Sequence, residues 1–189
     1  MRIAVIGTGN IGGTLGERWR AAGHDVTYGS RSAGNAGPGG APIVPVADAV
    51  AGAEVVLLAV PGPAAAEVIR VNGAALAGQV VIDAVNNIGA AEVNCHAAIV
   101  AEAPGAHYAR AFNTLGWENF ADPLPGTQLF FAADTGARAA TEELIRAVGI
   151  EPVWVGTAQA ARTVDGLLPL WFTLAQQYGN RKLAFRVIR

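Results

Sequence analysis

Apolar positions along the chain switch between a strand period and a helix period. Ile3–Ile6 is a β-branched apolar run that stops at Gly7. From Ile11 the spacing is helical: Ile11, Leu15 and Trp19 share one stripe, Gly12 and Gly16 lie beside it, and Gly23 ends the helix. Asp25–Tyr28 reads as a second strand, Pro42–Pro45 as a short third one and Val46–Ala53 as a short helix. Ala33–Ala41 (AGNAGPGGA) is too rich in Gly and Pro for a helix and reads as a loop. Val55–Val60 (VVLLAV) is a continuous apolar run, of the kind buried on both faces of a parallel sheet, and Pro61 stops it. Ala64–Leu76 then reads as helix, Val80–Ala84 as strand, Ala91–Ala103 as helix, and His107–Asn113 and Gln128–Ala132 as strands. Thr135–Val148 reads as helix and Glu151–Val155 as strand. Gln159–Tyr178 reads as one long apolar helix, interrupted or kinked near Pro169. This alternation predicts an α/β fold with a doubly wound, mostly parallel sheet, in one domain that ends in an apolar helix.

Composition narrows the function classes. At 189 residues the chain has the size of one domain, and 52% hydrophobic residues suffice for a large core. Thirteen basic against fifteen acidic residues leave a net charge of -2, with no Lys/Arg run, so nucleic acid is not an expected partner. The apolar runs Val55–Val60 and Leu167–Ala175 are too short to span a bilayer, and the first residues lack the pattern of a signal peptide. The single cysteine, Cys95, fits a reducing cytoplasm.

Gly7-Thr8-Gly9-Asn10-Ile11-Gly12 fits G-x-G-x-x-G directly after a strand and at the opening of an amphipathic helix, the context in which that spacing binds a dinucleotide. Gly7 permits the tight turn, Gly9 lets the backbone approach a pyrophosphate, and Gly12 lets helix and strand pack closely. The helix N-terminus then offers free N–H groups and the positive end of its dipole. Where an acid would accept from a ribose 2′-hydroxyl, this chain has Ser30, Arg31 and Ser32, and no acid stands between Asp25 and Asp48. An Arg at this point accommodates the 2′-phosphate of NADP. Thr8 faces the same corner. Hydrogen bonds to a charged group contribute about 1.5–3 kcal/mol each, so two of them favour NADP over NAD by roughly a hundredfold or more.

GTGNIGGTL (Gly7–Leu15), GSR (Gly29–Arg31), LLAVP (Leu57–Pro61) and AFNTLGW (Ala111–Trp117) resemble the coenzyme F420-dependent NADP oxidoreductases. The pattern is also similar to the NADPH-binding domain of the STEAP ferric reductases, whose membrane part has no counterpart here. The resemblance runs along almost the whole chain. It implies a Rossmann-type domain (residues 1–158), with residues 159–189 forming a C-terminal helix and tail that pack on it or on a dimer partner. It implies hydride transfer between NADP(H) and coenzyme F420, FMN, FAD or another small acceptor. Carried over by position, Thr8, Gly9, Asn10 and Ile11 would hold the pyrophosphate, and Ser30 and Arg31 the 2′-phosphate. Val60 and Pro61 would floor the adenine and ribose side, Ala84 and Asn86 would follow the fifth strand, and Asn113 and Thr114 would face the nicotinamide. One departure is the segment after Ser-Arg, which is shortened to a Gly-rich loop without Lys or Arg.

Hydride transfer requires no acid–base pair, because the cofactors carry the chemistry and the protein supplies positioning. Asn113 and Thr114 can bond a carboxamide or ring carbonyl. His24 reads as a turn residue, His96 as a mid-helix neighbour of Cys95, and His107 as a strand start away from the ligand; no metal and no nucleophile is assigned. Leu167–Leu174, with Trp171 and Phe172, form a broad apolar stripe expected both to close the open edge of the sheet and to take part in a homodimer. Trp117 and Phe120, in the loop after AFNT, wall an acceptor pocket or anchor the loop. Two other readings stay open. One is a non-catalytic NADP-binding redox sensor, favoured if Trp117, Phe120 and the last helix fill the space beside the nicotinamide. The other is a small imine, carbonyl or pyrroline-carboxylate type reductase, which would normally need a helical dimerisation domain for which this chain is too short.

Overall fold

The strands form one eight-stranded sheet in the order β3-β2-β1-β4-β5-β6-β7-β8. They are β1 (Arg2–Ile6), β2 (Asp25–Ser30), β3 (Ile43–Pro45), β4 (Val55–Leu58), β5 (Val80–Asp83), β6 (His107–Arg110), β7 (Gln128–Ala133) and β8 (Glu151–Gly156). A computed structural model describes every residue except Ser32, Ala33, Asn35 and Arg189. The strands from β1 to β6 are parallel; β7 runs antiparallel to β6, and β8 parallel to β7. Chain direction therefore reverses only at the β6–β7 junction, so the mostly parallel sheet expected from the alternation of strands and helices holds. The order also reverses between β1 and β4, which opens a crevice at their carboxyl ends, where ligands bind in open α/β sheets.

Alternate residues of each strand point to opposite faces, and helices cover both. Ile3 and Val5 of β1 join Leu15 and Trp19 of α1 (Asn10–Ala21), Phe120 of α5 (Trp117–Ala121), and Leu144 and Ile145 of α6 (Thr135–Ala147). Ala4 and Ile6 face the other way. They meet Val50 of α2 (Val46–Ala51), Ile69 of α3 (Gly62–Leu76), Ile99 of α4 (His96–Glu102) and Ala161 of α7 (Ala161–Asp165). The last helix, α8 (Leu167–Tyr178), follows α7 directly. Trp19 is fully buried, and its indole N–H donates to the carbonyl of Leu144 at 2.9 Å, tying α1 to α6.

Several boundaries differ from the sequence expectations. The strands after α3 and α4 end earlier: β5 stops at Asp83 and β6 at Arg110, each a charged residue that turns inward. Residues 91–95 are not helical, so His96 opens α4 instead of lying within it. There its ring packs 4.7 Å from that of Tyr108. The segment after AFNT is not a plain loop but the short helix α5. Its Phe120 is fully buried in an edge-on stack with Phe112 at 5.6 Å, so it belongs to the core and walls no pocket. The C-terminal helix is broken at Gly166, because Pro169 lies in the first turn of α8, where its missing N–H has no helical acceptor to lose. Nor does α8 cap the sheet edge: β8 remains the edge strand, with Trp154 40% and Val155 37% exposed. Instead α8 buries Leu168 and Trp171 and leaves Leu170, Phe172 and Tyr178 outward. The Trp171 indole donates to the carbonyl of Leu183 at 3.2 Å, holding the tail against it. Among the described residues no helix is long and apolar enough to cross a membrane.

Phe112, just past β6, has φ +62°, and it is the only non-glycine among the described residues with a positive φ. A bulky side chain in that region is strained by about 1–3 kcal/mol. The surrounding core holds it: its ring meets Trp19 edge-on at 5.5 Å and Phe120 on another side. This turn delivers Asn113 and Thr114 to the carboxyl end of β6. Phe112→Ala keeps the backbone strain and loses the ring packing, so urea unfolding should show a loss of about 3–5 kcal/mol.

Candidate functional site

The phosphate turn is shaped by close backbone approach. Gly7 has φ +113°, and a Cβ there would lie 2.4 Å from the carbonyl oxygen of Ala59. A Cβ on Gly12 would lie 2.1 Å from the carbonyl of Gly7, so the helix can start this close to β1 only with glycine. Gly9 is different: a Cβ there would meet nothing within 4 Å. It is the N-cap of α1, and no side chain caps the helix. Thr8, Gly9 and Asn10 are exposed and Ile11 half-buried. The first turn of a twelve-residue helix thus leaves its N–H groups without a side-chain cap beside exposed residues, an arrangement that suits an anion.

Beside this turn lies a cleft of about 500 Å³ across the ends of β1, β2 and β4. Gly7, Thr8, Ser30 and Arg31 line it, with Val60 and Pro61 on the β4 side and Ala64 and Val68 of α3 beyond them. The residues singled out for the adenosine end therefore share one cavity. The exception is Ser32, whose expected role falls outside the described residues. Val60 and Pro61 lie just past β4, not within it. Glu67 also lines the cleft, but Arg70 donates to both its carboxylate oxygens at 2.9 and 2.7 Å, and this pairing holds its carboxyl below the usual range.

The residues expected at the nicotinamide end lie among buried side chains around Arg110. Asp83 and Arg110 are register partners at the ends of β5 and β6, and both are fully buried. Arg110 Nη1 donates to the Asp83 carboxylate at 3.2 Å, to the Asp83 carbonyl at 3.0 Å and to the Val85 carbonyl at 2.6 Å. Its Nη2 donates to Asn86 Oδ1 at 3.0 Å, and its Nε to Asp165 Oδ1 at 2.7 Å. Asp83 is held further by the N–H groups of Val85 and Cys95 and by the Tyr108 hydroxyl. Burial pushes the Asp83 carboxyl upward, and Arg110 works against that shift first, followed by these donors. Burial, with Asp83 behind it, raises the Cys95 thiol to about 12, so Cys95 is a packed apolar group and no nucleophile.

Asn86 and Asn113 both belong to this network. Asn86 Nδ2 donates to the Asn113 carbonyl at 2.7 Å, and Asn113 Nδ2 donates to Asp165 Oδ1 at 3.0 Å. Asn113 is 3% exposed, and its Oδ1 is a buried acceptor without a partner. Thr114 and Ala84 are buried beside it in the chain, while Asn86 is half-buried. The residues expected at the nicotinamide end are thus brought to the adjacent ends of β5 and β6. Asp83, Arg110 and Asp165 were not foreseen. The signal was present: each of β5 and β6 is a short strand whose final residue is charged, and a charge that ends a buried strand needs a partner.

NADP(H) fits these residues. The uncapped α1 N-terminus and the open space at Gly9 suit a pyrophosphate, Arg31 and Ser30 border the cleft for a 2′-phosphate, and the orphaned Asn113 Oδ1 lacks a donor that a carboxamide carries. The buried network is itself testable. Arg110→Met leaves two carboxylates buried without their cation, and chemical unfolding should show a loss of about 3–5 kcal/mol.

Residues 2–87 match the family model of NADP oxidoreductases, coenzyme F420-dependent. The whole chain superposes on a protein named as a candidate F420-dependent NADP-reductase from Arthrobacter sp. FB24, with TM-score 0.85, 25% identity and 100% of both chains covered. A hypothetical protein from Sinorhizobium meliloti gives TM-score 0.70 at 28% identity, covering 100% of this chain and 96% of its own. A reductive aminase from Aspergillus terreus, solved with NADPH and ethyl-5-oxohexanoate, gives TM-score 0.73. At 19% identity, over 94% of this chain and 63% of the aminase, that likeness is one of fold. Through residues 2–87 the chain is thus similar to the coenzyme F420-dependent NADP oxidoreductases, on a Rossmann-type fold that extends over its full length.

Proposed function

We propose that the protein is an NADPH-dependent oxidoreductase that passes hydride between NADP(H) and coenzyme F420 or another flavin-type ring. The observation that carries this reading is the cleft in which Thr8, Ser30 and Arg31 meet beside the uncapped start of α1. An anion at the ribose and a second one at the helix start are the requirements of NADP rather than NAD. When bound, the nicotinamide supplies the hydride, and the ring of the acceptor takes it up with a proton from solvent.

The chain's own part is to bind and orient. The first N–H groups of α1 and the backbone of Gly9 take the pyrophosphate, while Arg31 and Ser30 take the 2′-phosphate. Asn113, fixed at the end of β6, takes the carboxamide and so sets which ring face is offered. Thr114 stands next to it in the same turn. Positioning of this kind accounts for the rate without a general acid or base.

Two features favour an enzyme over a binding sensor. Phe120 is withdrawn into the core and cannot fill the acceptor's space. Asp165, which grips Asn113, also lines a groove of about 490 Å³ with Asn94 and Arg162, ample for a second ring. A homodimer is part of the same proposal, supported by the outward Leu170, Phe172 and Tyr178 of α8.

Titration of wild type and Arg31→Ala with NADPH and NADH tests the cofactor. Wild type should bind NADPH tighter by about a hundredfold. In Arg31→Ala the NADPH affinity should fall at least tenfold while NADH binding is unchanged. Equal binding of both nucleotides by wild type contradicts the 2′-phosphate site. Stopped-flow reduction of coenzyme F420, FMN and FAD then identifies the acceptor.

A further inference from the structure

Asp165 lies outside every motif discussed so far, in the short helix α7 near the C-terminus, yet it reaches the ends of the central strands. Its Oδ1 accepts from Arg110 Nε at 2.7 Å and from Asn113 Nδ2 at 3.0 Å, and its Oδ2 accepts from Asn94 Nδ2 at 2.7 Å. An ionised carboxylate only accepts hydrogen bonds, whereas a primary amide has one accepting and one donating end. Asn113 can therefore satisfy Asp165 only by turning its NH₂ toward it. That orientation commits Oδ1 to the opposite side, where it is buried and lacks a partner.

The same logic fixes the neighbouring amide. Arg110 only donates, so Asn86 must turn its Oδ1 to Arg110 at 3.0 Å, and its NH₂ then meets the Asn113 carbonyl at 2.7 Å. Asn113 is thus held at its main chain by Asn86, at its amide nitrogen by Asp165 and by the left-handed turn at Phe112. The one polar atom of its side chain left over is an acceptor. A buried unpaired acceptor in a native site requires a donor, from a ligand or a water.

We infer that Asp165 is a positioning residue for cofactor recognition: it orients the Asn113 amide so that the site reads the N–H₂ end of the nicotinamide carboxamide and not its carbonyl. The inference rests on the reading of Asn113 as the nicotinamide contact. It makes the carboxamide nitrogen a determinant of affinity and assigns control of that determinant to α7.

The test compares NADP⁺ with its 3-acetylpyridine analogue, in which a methyl ketone replaces the carboxamide and no N–H remains. Isothermal titration gives the ratio of the two dissociation constants for wild type, Asp165→Asn, Asn113→Ala and Tyr108→Phe. The last variant removes a bond to Asp83 in the same network without touching Asp165 or Asn113. Wild type should prefer NADP⁺ by about tenfold. In Asp165→Asn the amide at position 113 is free to turn, so the ratio should fall close to one, as it should in Asn113→Ala. Tyr108→Phe should keep the wild-type ratio, since loosening the network alone changes both ligands alike.

A wild-type ratio near one overturns the inference together with the placement of Asn113. A ratio that Asn113→Ala abolishes and Asp165→Asn preserves overturns the role of Asp165 and leaves Asn113 at the nicotinamide. Should Asp165→Asn fail to fold, wild-type protein labelled with ¹⁵N decides the matter. The Asn113 side-chain NH₂ pair, identified by its loss in Asn113→Ala, should be protected from exchange before and after NADP⁺ is added. A freely exchanging pair in the nucleotide-free protein contradicts the inference.

Discussion

A single guanidinium, that of Arg110, joins the parts of this protein that have to meet. It is fully buried between the carboxylates of Asp83 and Asp165, and its N–H groups are spent on β5, on the segment after β5, and on α7. A buried ion pair contributes little net stability compared with a well-packed apolar replacement, but removal of one member leaves an uncompensated charge. The value of the arrangement is positional. Arginine's donors form a rigid planar fork, so groups bonded to it are fixed in direction as well as distance. Asn86 and Asp165 are two such groups, and both act on Asn113. Residues that are 55 positions apart in the chain, Arg110 and Asp165, thereby set one side chain at the mouth of the sheet.

The two ends of the site rest on different physics. At the end proposed for the adenosine, backbone would do the binding. Gly7 and Gly12 allow close approach, the start of α1 is left uncapped, and Ser30 and Arg31 stand at the edge of an open cleft. At the end proposed for the nicotinamide, buried side chains are locked into one donor–acceptor pattern, and Phe112 stores backbone strain that Trp19 and Phe120 hold in place. The first end can adapt to a charged ligand through solvent-exposed groups. The second is preformed, as expected where hydride must be delivered to a defined ring face.

The glycine turn and the cleft beside it were legible in the sequence because their signals are local. A glycine spacing after a β-branched run, and an Arg in place of an acid one strand later, are each contained in a few consecutive residues. The alternation of strand and helix periods gave the sheet for the same reason. What escaped was decided by long-range partners. Asp83 and Arg110 end short, largely buried strands, and nothing nearby says that they face each other or that Asp165 completes them. Gly166, and not Pro169, breaks the last helix, since proline is tolerated in a first turn. Phe120 looked like a loop aromatic until its stack with Phe112 placed it in the core. The last helix looked like an edge cover, yet it packs on α7 and the tail through Leu168 and Trp171, which periodicity alone does not reveal.

The most direct test of the central claim, that the Arg110 network presents Asn113 to the nicotinamide, is a crystal structure of the protein with NADP⁺. The account predicts the 2′-phosphate against Ser30 and Arg31, the carboxamide nitrogen within hydrogen-bond distance of Asn113 Oδ1, and the Arg110–Asp165 and Asp165–Asn113 contacts unchanged. A nicotinamide bound away from the ends of β5 and β6, with Asn113 Oδ1 still unpartnered, would contradict it.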